Sequence, residues 1–109
     1  MAAASLKPHF FYILLALAEG QRHGLAIARE VQSLSDGGVK LWPATLYGSL
    51  EDLRARRGIE ELDEHPEDES ERKRYYRLTR TGRAVLADEV ERLSRLARLA
   101  RARTRTGDA

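Results

Sequence analysis

A mainly helical α+β fold is predicted by three observations. Apolar residues recur at helical spacing in four separate segments of the chain. Only two short stretches, 59–62 and 74–78, have the composition of strands, and a charged loop separates them. The third observation is the segment Trp42-Pro43-Ala44-Thr45-Leu46-Tyr47-Gly48-Ser49-Leu50-Glu51-Asp52-Leu53, an amphipathic helix whose polar side is built for contact. With 109 residues and no cysteine, the chain is expected to form one modest core without disulfides or thiolate metal sites.

The first helix is expected over 7–18, with Phe10, Ile13, Leu14 and Leu17 facing inward. Lys7, the run Phe10 to Leu15 and Ala16-Leu17-Ala18 imitate a secretory signal, but the same residues serve as a core helix. The apolar run 10–18 is too short to span a bilayer, so the expected location is the cytoplasm, with no membrane partner. A second helix is expected from His23 or Gly24 to Leu34, its inward side using Leu25, Ala28, Val31 and Ile27. Ser35-Asp36-Gly37-Gly38 forms a turn.

In the third helix, roughly Pro43 to Arg56, proline opens the first turn, where its missing N–H has no intrahelical partner. Leu46, Leu50 and Leu53 make the core-facing stripe. Ala44, Thr45, Tyr47 and Ser49 are assigned to the opposite side, where solubilising charges would be usual. Strands at 59–62 and 74–78 flank the loop His65-Pro66-Glu67-Asp68-Glu69-Ser70-Glu71, which reads as an exposed hairpin tip. Such a hairpin packed behind three helices makes a wing beside a helical core, a domain placed at 5–79. Thr79 caps a long fourth helix over 80–103, and 104–109 are expected to form a disordered tail. Leu86, Val90, Leu93, Ala97 and Ala100, widened by Leu96 and Leu99, form a coiled-coil-like stripe. So small a core cannot cover it, which makes a homodimer the expected state.

The net charge of +2 conceals segregation: eight acids and no lysine or arginine lie between Glu60 and Glu71, whereas Arg72-Lys73-Arg74 follow at once. Phosphates respond to local basic patches, so a net charge near neutrality does not argue against a nucleic-acid partner; the helix at 43–56 together with the two strands is what suggests double-stranded DNA. Thr45, Tyr47 and Ser49 offer hydroxyls to base edges or phosphate, Ala44 allows close approach, and the helix N-terminus at Pro43 favours phosphate. Lys40, Arg72, Lys73 and Arg74 are candidate backbone contacts, with Tyr75 beside them. Phe10, Phe11, Tyr12 and Trp42 are the candidate aromatic walls of a cavity in the dimer for a small aromatic or drug-like effector. His9, His23 and His65 have no metal-ligand spacing, and there is no nucleophile elbow or phosphate-cradling glycine loop. Neither an enzyme nor a cofactor is expected.

These pieces together resemble the PadR family of bacterial transcriptional regulators. The resemblance rests on Leu14-Leu15-Ala16-Leu17, His23-Gly24, Pro43-Ala44-Thr45-Leu46-Tyr47 with Leu50 and Leu53, Arg74-Tyr75-Tyr76-Arg77-Leu78-Thr79, and Gly82. It implies a winged helix-turn-helix with a dimerising C-terminal helix, in the short branch that has a single such helix. It also implies a repressor of inverted repeats near promoters, in some members released by a small aromatic molecule. Carried over, Pro43, Thr45, Tyr47 and Ser49 fall on the recognition helix, Arg74 and Tyr75 on the returning wing strand, and Leu86 to Leu99 on the dimer helix. Leu25 stands where the family commonly has tyrosine, and Trp42 where a small capping residue is usual. The turn Arg56-Arg57-Gly58-Ile59-Glu60 is one apolar residue short of the family pattern, so the first wing strand is expected to be irregular. The rival reading is a winged-helix module that binds protein, favoured by the acidic hairpin tip.

Overall fold

Pro8 occupies the first turn of helix α1 (Pro8–Ala16), which buries Phe10, Ile13 and Leu14. The computed structural model describes residues 6–62 and 74–106. Helix α1 ends two residues before the expected Ala18, because Ala18 N–H turns to the Leu15 carbonyl (3.1 Å) and closes a tighter turn. Arg22 and His23 then form a two-residue strand β1 (Arg22–His23), which the sequence pattern does not reveal. Arg22 Nε also donates to the Ala16 carbonyl at 2.8 Å, satisfying a backbone acceptor at the end of α1.

Helix α2 (Gly24–Leu34) is capped by His23, whose ring Nδ1 accepts the Ala26 N–H at 3.3 Å. Ile27 and Val31 are buried and Ala28 is half-buried, but Leu25 is 53% exposed and does not face the core as expected. It lies about 200° around the helix from Ile27, so the two cannot share one buried face. Helix α3 (Pro43–Ala55) buries Leu46, Leu50 and Leu53, each contributing about 1.5–3 kcal/mol of transfer free energy. Arg57 ends the helix in the left-handed region (φ 67°), and Gly58 N–H bonds back to the Leu53 carbonyl at 2.9 Å.

Strands β2 (Ile59–Leu62) and β3 (Tyr75–Leu78) pair antiparallel, with Ile59 opposite Leu78 and Leu62 opposite Tyr75. The first wing strand is thus regular over its four residues, despite the shortened turn before it. Strand β1 adds to the other edge of β3, giving the sheet order β1-β3-β2. This is the winged helix-turn-helix: α1, α2 and α3 enclose the core, and the sheet carries the wing. The wing tip, with Arg72 and Lys73, lies outside the described residues.

Helix α4 (Arg80–Thr106) follows Thr79, whose hydroxyl accepts Gly82 N–H at 2.9 Å and lies 2.6 Å from the Arg57 carbonyl. Residues 104–106, expected in a disordered tail, continue the helix, and 107–109 lie outside the described residues. The arginines and alanines of 100–103 have high helix propensity, and the Thr104 hydroxyl continues the helix by donating to the Ala100 carbonyl at 2.8 Å. The N-terminal part of α4 packs on α1: Leu86 joins the core, and Arg83 donates to the Ala18 carbonyl at 3.2 Å. Leu86 was expected in the dimer stripe, but its own chain already buries it.

Glu89 is also buried, held by two of the Arg92 guanidinium nitrogens at 3.0 and 2.5 Å. Those bonds, with the Arg92 charge and the Leu6 backbone N–H, hold its carboxyl below the usual glutamate range against the opposing effect of burial. A lowered folded pKa contributes stability that is present above the unfolded value and lost as pH falls through the folded one. Glu89→Gln should therefore lower stability at neutral pH and flatten its acid dependence below about pH 5. Chemical denaturation across that range measures it, and a variant with the wild-type slope would show that Glu89 does not contribute.

Candidate nucleic-acid interface

One side of α3 is given to the core, which fixes what the other presents. Pro43, Ala44, Thr45 and Gly48 are exposed, and Tyr47 is 47% exposed. Ser49 is not on this face: it is 6% exposed, because its position on the helix falls only about 40° from the buried Leu53 direction. The two carboxylates further along the face are neutralised within the helix. Arg54 bonds Glu51, and Arg56 Nε lies 3.0 Å from Asp52 Oδ1. What remains near the N-terminus is an uncharged strip of small groups on a rigid rod.

Gly48 lies in this strip and is a residue that sequence reasoning passed over. A Cβ built there would meet nothing within 4 Å, so neither packing nor backbone conformation in the chain requires glycine. A mid-helix glycine costs roughly 0.5–1 kcal/mol relative to alanine. The signal was available in the sequence as a glycine two residues from the core-facing Leu46 and Leu50. Its benefit is an unobstructed surface for close approach. Gly48→Ala should raise stability by about 0.5–1 kcal/mol while weakening DNA binding. Melting and titration of the same preparation would test this, and unchanged binding would remove Gly48 from the interface.

The wing meets α3 through Tyr47. Tyr47, Glu51, Arg74 and Tyr76 line a depression of about 320 Å³ that joins the exposed face of α3 to the returning strand. Arg74 is exposed, with its Nε 3.9 Å from Glu61 Oε2, a loose surface pair worth little. Burial pushes the Tyr76 hydroxyl above its ordinary range, and the nearby Glu61 adds to this, while Arg74 opposes through a hydrogen bond. Arg74 is thus steered toward the α3 side of the wing without being neutralised by a tight partner. Arg77, by contrast, is paired directly across the strands with Glu60 at 2.5 Å.

Tyr75 is half-buried, its ring edge-on to His23 with centroids 5.5 Å apart. It therefore ties β3 to β1 as well as lying beside Arg74. Tyr47 is placed by Gly24: a Cβ at Gly24 would come within 2.7 Å of the Tyr47 hydroxyl. Lys40 is exposed ahead of α3 and makes no ion pair with any described residue.

The expected aromatic pocket is not assembled within one chain. Phe10 is buried in the core, while Phe11 and Tyr12 make a T-shaped ring contact and are half-buried on α1. Trp42 is 70% exposed at the start of α3 and lines a different depression. On α4, Val90, Leu93, Leu96 and Leu99 are all exposed, Ala100 is exposed and Ala97 is half-buried, so the described residues leave most of the stripe beyond Leu86 open. Among the described residues no cluster of histidine, aspartate or glutamate could hold a metal ion, and no helix is long and apolar enough to cross a membrane.

Comparison with known proteins agrees with this geometry. Residues 13–88 match the model of the transcriptional regulator PadR-like family. An uncharacterized 37.1 kDa protein in transposon TN4556 of Streptomyces fradiae is 37% identical over 78 residues, which cover 72% of this chain. That match spans only 21% of the Streptomyces protein, about a fifth of its length. Among solved structures, RosR of H. salinarum is 29% identical with a TM-score of 0.70, covering 98% of this chain and 96% of that one. A PadR family transcription regulator from Clostridium difficile R20291 superposes with a TM-score of 0.75 at 19% identity, covering 88% of this chain and 97% of that one. This last likeness is one of fold.

Proposed function

The chain belongs to the PadR-like family of transcriptional regulators, and on that premise we propose that it represses transcription as a homodimer bound to an inverted-repeat operator. It is a DNA-binding regulator rather than an enzyme, and its place of action in this proposal is the cytoplasm. The observation that carries the proposal is the uncharged small-residue face of α3, open at Ala44, Thr45 and Gly48 and bordered by the exposed Arg74.

In the proposed complex each α3 enters a major groove, about 12 Å wide, with the two helices one helical turn apart. Thr45 and Tyr47 contribute to base selection, and Lys40 and Arg74 set the register by contacting phosphate, with Arg72 and Lys73 alongside in the sequence. Ser49 has no part in the contact, since it is buried. Val90, Leu93, Leu96, Ala97, Leu99 and Ala100 join the two copies, and occupation of a promoter excludes the polymerase.

Selection of fragments from sheared genomic DNA by the purified protein tests this. Enrichment of a short inverted repeat upstream of a gene supports it, whereas uniform, salt-sensitive retention would leave backbone binding without readout. At the selected site, Arg74→Ala should weaken binding to all sequences alike and reduce the salt slope by about two, one phosphate contact being lost in each protomer. A change in site preference without that change in slope would mean that Arg74 contacts bases.

A further inference from the structure

Beside the recognition face, α2 and the start of α3 enclose a depression of about 540 Å³, of whose lining the readout described above uses only Lys40 and Tyr47. Its exposed apolar surface comes from Leu25, 53% exposed, and Trp42, 70% exposed, next to Tyr47. Trp42 is the N-cap residue of α3 but makes no side-chain capping bond, so the position is filled by a large ring that neither caps nor enters the core. Arg29 and Lys40 also line the depression, and neither forms an ion pair with a described residue.

An apolar surface flanked by unneutralised cations fits an occupant that is anionic overall and carries apolar groups. DNA meets both requirements at the place where α3 would dock. Arg29 and Lys40 can take phosphates, and the apolar group on a base edge in the major groove is the C5-methyl of thymine. We propose that Leu25 and Trp42 form a thymine-reading shelf, which adds a preference for thymine beside the N-terminus of each recognition helix. The proposal rests on the reading that α3 enters the major groove.

The test uses the full chain and a selected operator fragment, made either with thymine or with uracil, which lacks only the methyl group. Wild-type affinity is expected to fall roughly tenfold on uracil DNA if one methyl is contacted in each half-site. Trp42→Ala should bind thymine DNA about as weakly as wild type binds uracil DNA, with no further loss on uracil. Leu25→Ala should show the same pattern more weakly. Melting of each variant checks the fold, and both side chains are exposed enough to be removed without opening the core.

Equal sensitivity to uracil in wild type and Trp42→Ala would assign the methyl contact elsewhere and overturn the shelf. So would a Trp42→Ala loss that is the same on both DNAs while wild type ignores uracil, since the contact would then be to sugar or phosphate. Unchanged affinity of Trp42→Ala on thymine DNA would overturn it outright. If wild type prefers no fragment over any other, the recognition-helix reading itself fails. Selective binding that is indifferent to the methyl removes only the shelf.

Discussion

Glutamate at both Leu93 and Leu96 is expected to convert the protein to a monomer and to reduce operator binding to the non-specific level. These side chains are 39% and 48% exposed in the single chain, so the substitutions place no charge in the monomer core. In a dimer joined along α4 they would bury four carboxylates without partners, and each costs several kcal/mol. The dimer dissociation constant should rise by about a thousandfold or more, equivalent to roughly 4 kcal/mol. A monomer presents one recognition helix, losing the second half-site and the geometric match between two grooves. Sedimentation and operator titration are the readouts. A double variant that stays dimeric would place the interface elsewhere, and a monomer with full operator affinity would remove the need for two copies.

Gly82→Ala is expected to have the largest effect on folding. A Cβ at Gly82 would lie 2.0 Å from the Gly58 carbonyl oxygen and 2.8 Å from its carbon. Both are backbone atoms in the turn between α3 and β2, and that turn is fixed from the other side. Thr79 N–H donates to the same Gly58 oxygen at 3.1 Å, and the Thr79 hydroxyl bridges Gly82 N–H to the Arg57 carbonyl. Moving Gly58 aside would thus disturb the α4 cap and the left-handed Arg57 together. The expected cost is about 3 kcal/mol, or a melting temperature lower by roughly 10 °C or more. The sign is diagnostic, because helix propensity alone would make alanine stabilising by about 1 kcal/mol. A melting temperature equal to or above that of wild type would contradict this close contact.

What could be read from the sequence was whatever depends on local periodicity and caps. Pro43 with Leu46, Leu50 and Leu53 located α3 to within one residue at its end, and Thr79 marked the start of α4. The winged helix-turn-helix followed from the order of those elements. Strand β1 was not legible, since two residues, Arg22 and His23, carry no period and become a strand only by pairing with β3. Leu25 misled because hydrophobicity was counted without its helical angle, and the same omission put the buried Ser49 on the contact face. Leu86 looked like the first member of the dimer stripe, because a stripe does not show where the chain's own core stops covering it.

The candidate site was legible in composition more than in arrangement. The small residues of α3 stood out as residue types, whereas the cleft shared by Tyr47 and Arg74 depends on how the wing returns. The separation of Phe10, Phe11 and Tyr12 from Trp42 is likewise a matter of packing: one belongs to the core, two to the α1 surface and the last to the start of α3. Gly48 could have been recognised in advance by asking which residues reduce helix stability without a structural reason.

The central claim is that two copies of α3 lie in successive major grooves, and the absence of cysteine allows a direct test. Thr45→Cys introduces a single thiol on the exposed face of α3, to which an iron chelate that cleaves nearby DNA can be attached. On a selected operator, two localised clusters of cleavage about 10 base pairs apart are predicted, one for each recognition helix. Cleavage spread evenly along the fragment, or a single cluster from a protein shown to be dimeric, would contradict the account.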